Sequence, residues 1–96
     1  MTNDIKPTGP LFQHGIIVFT ARVTKAVPVD EAMTALERHC TGDWGEVCED
    51  DKAANDWALL NRTTLLSAYT SSKGVRFWIK TEGDRSVTTM LLPGED

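Results

Sequence analysis

The chain has 96 residues, and its 14 acids against 10 Lys and Arg leave a net charge of −4, which excludes the clustered positive charge that direct nucleic-acid or anionic-membrane binding requires. Its length suits one domain, its 41% apolar and 25% charged content excludes a disordered chain, and no apolar run reaches the roughly 20 residues of a membrane helix. Two cysteines and a polar N-terminus argue against a secreted disulfide scaffold, so a reduced, cytoplasmic protein is expected.

Residues 1–13 read as a flexible arm ahead of a single domain spanning 14–96, because Pro7, Gly9 and Pro10 interrupt regular structure; Leu11 and Phe12 are suited to tuck back onto the domain. Gly15–Val23, rich in β-branched residues, predicts a first strand, and Lys25–Pro28 a connection. Asp30–Cys40 predicts a helix with Asp30 as N-cap, an apolar stripe of Ala32, Met33, Leu36 and Cys40, and Gly42 as the stop. Glu49–Asn61 predicts a second helix, with acids in its first turn and Ala53, Ala54, Trp57 and Leu60 as its apolar stripe.

Three strands follow, Thr63–Thr70, Val75–Thr81 and Ser86–Leu92, joined by the short turns Ser71–Gly74 and Glu82–Arg85. Val75, Phe77 and Ile79 alternate with Arg76, Trp78 and Lys80 at the period of a half-buried strand. The expected fold is therefore α+β in the order β-α-α-β-β-β. Its antiparallel sheet ends in a three-stranded meander, the first strand joins one sheet edge, and the helices pack on one face.

Two stretches share a specific wording. The first runs from His39 through Gly42-Asp43-Trp44-Gly45 and Glu49-Asp50 to Asn55. The second runs from Leu65-Leu66-Ser67-Ala68-Tyr69 through Trp78, Thr81-Glu82, Asp84-Arg85-Ser86 and Thr88-Thr89 to Leu91-Leu92-Pro93. In these, over roughly two-thirds of its length, the chain resembles a family of small uncharacterised bacterial proteins often carried on plasmids or other mobile DNA. The resemblance implies an accessory role and supplies no catalytic residues to carry over.

The chemistry-bearing residues are sparse. His39 and Cys40 point about 100° apart on a helix, and Cys48 completes no zinc spacing, so no metal or cofactor is expected. A Cys48 nucleophile is opposed by Glu46, Glu49, Asp50 and Asp51, whose charge disfavours a thiolate, and those acids lack the spacing of a calcium loop.

Trp44, between two glycines, fits either a core plug or an exposed anchor. The segment Thr81–Thr89 places Glu82, Asp84, Arg85 and Thr88 around one turn. It fits either a ligand surface or an Asx- or Ser-type turn made by Asp84 or Ser86, with Arg85 paired to an acid of the second helix. Asp43, Trp44, Glu82, Asp84, Arg85 and Thr88 are the candidate binding residues, with none assigned to catalysis.

Two functional classes follow. One is a protein-interaction module that docks an acidic, Trp-containing face or an exposed sheet edge on a partner with a basic surface; a DNA-mimicking face is a special case of it. The other is a small-molecule-binding domain or minor enzyme with a pocket lined by Trp44, Tyr69, Trp78 and Arg85. For a chain this small, hiding further apolar surface in a homodimer would also be favourable.

Overall fold

A computed structural model of the chain describes residues 9–95. The elements are β1 (Ile16–Phe19), α1 (Ala21–Ala26), α2 (Val29–Cys40), α3 (Glu49–Asn61), β2 (Leu65–Thr70), β3 (Arg76–Thr81) and β4 (Val87–Leu91). The α+β class, the terminal meander and the helix at Glu49–Asn61 are as expected. The part of the expected arm at residues 1–8 lies outside the described residues, whereas Phe12 packs against both core clusters.

The expected strand Gly15–Val23 divides in two. Thr20 caps a helix instead, its Oγ1 accepting from the Val23 N–H at 3.2 Å. Capping and the burial of Val23 outweigh the strand propensity of the segment. The order is therefore β-α-α-α-β-β-β. The cap position of α2 is Pro28 rather than Asp30, which lies inside the first turn with Glu31.

The strand order is β1-β4-β3-β2. β2, β3 and β4 form antiparallel hairpins, and β1 joins the β4 edge in parallel, with Ile16 opposite Val87 and Phe19 opposite Met90. The sheet is therefore mixed rather than wholly antiparallel. Three helices intervene between β1 and β2, long enough to return the chain in the same direction, and two hairpins then bring β4 back in that sense.

The α2 stop is as expected. Gly42 takes φ +86°, its N–H donates to the His39 carbonyl at 3.2 Å, and the Asp43 N–H donates to the Arg38 carbonyl at 2.9 Å. This is the paired C-terminal bonding pattern that a left-handed glycine permits.

The helices cover the sheet face made by Ser67, Tyr69, Phe77, Ile79, Thr81, Thr88 and Met90. The main core joins Tyr69, Phe77, Ile79 and Met90 to Val23, Ala32, Leu36 and Cys40. A second cluster, Trp44, Ala58 and Leu65, lies under α3.

The two sheet edges differ. At β2, Ala68 N–H donates to the Trp44 carbonyl at 3.2 Å and its carbonyl accepts from Glu46 N–H at 2.7 Å. The Asn55 amide bonds both backbone groups of Leu66, donating at 2.8 Å and accepting at 3.1 Å. One side chain thus substitutes for a strand residue, and this edge is closed. At β1, Ile16 and Thr20 donate inward to Ser86 and Met90, so the backbone alternation turns Ile17 and Phe19 outward.

Candidate functional site

The Gly42–Gly45 turn is held by its own residues. The Asp43 carboxylate accepts from Arg38 Nε at 2.7 Å and from Gly45 N–H at 3.2 Å, and the Asp43 carbonyl accepts from the Tyr69 hydroxyl at 2.7 Å. The hydrogen bond from Arg38 holds the exposed Asp43 carboxyl below the usual range. Burial pushes the Tyr69 hydroxyl upward, so it stays protonated as a donor.

Gly45 is required here. A Cβ on it would lie 2.1 Å from the Ala68 carbonyl oxygen, at φ +73°. Trp44 takes the core position: it is 4% exposed, and its indole N–H donates to Asp56 at 3.0 Å.

The hairpin turn is equally internal. Asp84 accepts from the Ser86 N–H at 3.0 Å and hydroxyl at 2.6 Å, the expected Asx-type turn. Arg85 departs from expectation. It is 7% exposed and pairs with backbone carbonyls rather than an acid of α3: Thr63 at 2.7 Å, Ala58 at 2.8 Å and Glu82 at 3.2 Å.

A cation at the Ala58 carbonyl, which also accepts from the Arg62 and Thr63 N–H groups at the end of α3, complements the helix dipole. That service accounts for a non-glycine residue at φ +63°. Glu82 is half-buried and lies 3.8 Å from Lys80 Nζ.

Thr88 belongs to a buried polar chain centred on His39, which is 0% exposed. His39 Nδ1 lies 2.5 Å from Ser67 Oγ, Nε2 lies 2.8 Å from Thr81 Oγ1, and Thr81 Oγ1 lies 2.7 Å from Thr88 Oγ1. Thr88 donates to the His14 carbonyl at 2.8 Å.

A carbonyl can only accept, so the proton of Thr88 is committed there and Thr81 donates to Thr88. Nε2 must then carry the imidazole proton toward Thr81, and Ser67 donates to Nδ1. Every hydroxyl proton has one direction, and the histidine is neutral. Burial, with the positive charge of Arg85, holds its pKa down at about 3.

The sequence places His39 in the last turn of the helix ending at Cys40. The usable signals were its spacing from Leu36 and Ala35 and the small hydroxyl residues on inward strand positions.

His39 also joins the Gly42–Gly45 turn to the last hairpin. Its ring meets Trp44 at 5.7 Å and Phe12 at 5.3 Å between centroids, and the Arg85 guanidinium lies 5.5 Å from the Phe12 centroid. Trp44, Arg85 and Thr88 therefore belong to one buried assembly, while Asp43 and Asp84 stay at its surface. Trp44, Trp78 and Arg85 line neither a hollow of about 240 Å³ beside Tyr69 nor one of about 740 Å³ between β1 and α2.

The exposed chemistry lies on α3. Its expected apolar stripe is reversed: Asn55 and Ala58 are the buried residues, while Trp57 is 58% and Leu60 85% exposed. Asn55 takes the inward position because the β2 edge needs two backbone partners, and Ala58 is buried in one cluster with Trp44 and Leu65.

Asp50, Ala53, Trp57 and Leu60 then recur along the solvent side at helical spacing. Glu49 and Asp51 adjoin them in the first turn. Glu46 and Glu49 of the acidic run are already paired, with Arg76 and Lys52 respectively, each at 3.4 Å.

Among the described residues no group of three His, Cys, Asp or Glu could hold a metal ion, and no helix is long and apolar enough to cross a membrane. Comparison with protein-family models, with curated proteins and with solved structures gives no match to this chain.

Proposed function

We propose that this chain is a small protein-interaction module whose acidic, Trp-containing surface is the outer face of α3. The observation that carries the reading is Trp57, held 58% exposed beside Leu60 on a helix whose other side is committed to the domain. Exposed Trp flanked by aliphatic side chains is a common composition of binding anchors. Asp50 and Asp51 at the same helix favour a partner with basic residues around an apolar pocket. The resemblance to small proteins of mobile DNA suits an accessory role of this kind.

The test is a titration with a purified partner. Full-length protein is used to recover candidates from the source organism, and each is purified and titrated against wild type and Trp57→Ala/Leu60→Ser. The expected result is saturable binding that weakens with rising salt, a blue shift of tryptophan emission absent from the variant, and at least tenfold weaker binding by the variant. A partner that binds both proteins equally removes α3 as the surface.

A further inference from the structure

A second region, independent of α3, has the geometry of a peptide site. Between β1 and α2 lies a trough of about 740 Å³. Ile17, Met33, Leu36 and Cys40 supply its apolar lining, and Asp30 and Glu37 are its acids; no Lys or Arg is among the described residues that line it. Its β1 side is the open sheet edge, where the outward N–H and C=O groups of Ile17 and Phe19 have no bond among the described residues. An open strand edge beside an apolar trough is the arrangement in which an extended chain gains main-chain bonds from the edge and selectivity from alternate side chains.

We propose that this trough binds an extended, cationic segment of a partner protein, which adds to the sheet as a strand alongside β1. Every second side chain of the segment would face α2, the apolar ones entering over Met33 and Leu36 and a Lys or Arg at either end of that same face reaching Asp30 and Glu37. A four-residue strand spans about 13 Å, so the segment engages through roughly four to six residues. Charge selects this occupant over a second copy of the chain. The exposed edge of a second copy offers Ile16-Ile17-Val18-Phe19 without a cation, and pairing would bring two acidic troughs together.

The test uses the full-length, ¹⁵N-labelled protein and two blocked seven-residue peptides, Lys-Ser-Val-Ser-Val-Ser-Lys (the Lys/Val peptide) and Glu-Ser-Val-Ser-Val-Ser-Glu (the Glu/Val peptide), each with its charges and valines on one strand face. The Lys/Val peptide is expected to bind and to slow amide hydrogen exchange at Ile17 and Phe19 at least tenfold at saturation. Asp30→Lys/Glu37→Lys, both at exposed positions, should weaken it at least tenfold with an unchanged folded spectrum. Trp57→Ala/Leu60→Ser should bind it as wild type does, which separates this site from the α3 surface. Equal binding of the Glu/Val peptide, unchanged exchange at Ile17 and Phe19, or self-association through β1 that the Lys/Val peptide does not displace would each overturn the proposal.

Discussion

His39 shows how one buried side chain sets a pH dependence. The folded imidazole titrates near 3, against an ordinary value of 6.5, because burial penalises its cation. Between those values the unfolded chain binds the additional proton, so this contribution to stability is full above about pH 6.5 and is lost as pH falls toward 3. The slope approaches about 1.4 kcal/mol per pH unit. Urea midpoints of the wild type should therefore fall from pH 6.5 to 4.5, and His39→Gln should flatten that fall; a flat wild-type profile would refute the assignment. Thr88→Val removes a donor to the His14 carbonyl and the acceptor of the buried Thr81 hydroxyl, and should cost about 1–3 kcal/mol in urea unfolding.

At the scale of elements, the closure of β2 rests on Asn55 and on the turn that delivers Trp44 and Glu46. Asn55→Ala should destabilise by about 2 kcal/mol and should bring the Leu66 amide, slow to exchange in wild type, close to the rate of an exposed strand edge. Gly45→Ala should be more damaging, because the added methyl meets the Ala68 carbonyl and the left-handed backbone is itself unfavourable. Much of this level was legible in advance. The α3 limits, both hairpins and the Gly42 stop follow from local periodicity and turn chemistry. The division of Gly15–Val23 was not legible, because its β-branched run and the cap on Thr20 favour different structures.

At the scale of the whole molecule, the two core clusters are coupled through the Phe12–His39–Trp44 ring contacts and by Arg85, which ties the last hairpin to the end of α3. The domain should accordingly unfold as one unit. Far-UV circular dichroism and the fluorescence of buried Trp44, read in a Trp57→Phe/Trp78→Phe background, should give coincident transitions; an earlier loss of the Trp44 signal would show that the α3 cluster melts separately. The same coupling explains why the sequence-selected site residues divided. Trp44, Arg85 and Thr88 are drawn inward by hydrogen-bond partners on α3, β2, β3 and the segment before β1, which no local window contains. The exposed tryptophan of the acidic surface is Trp57 instead.

Composition, periodicity and turn residues by themselves determined an α+β domain with a terminal meander and placed its acids near a helix start, because these properties depend on residues close together in the chain. The parallel docking of β1, the inward face of α3 and the burial of Arg85 and His39 were decided only by tertiary structure. Each depends on which distant backbone groups needed a partner. Asn55 answers the open edge of β2, Arg85 gathers the Ala58, Thr63 and Glu82 carbonyls between α3 and the last hairpin, and His39 completes a line of hydroxyls drawn from three strands.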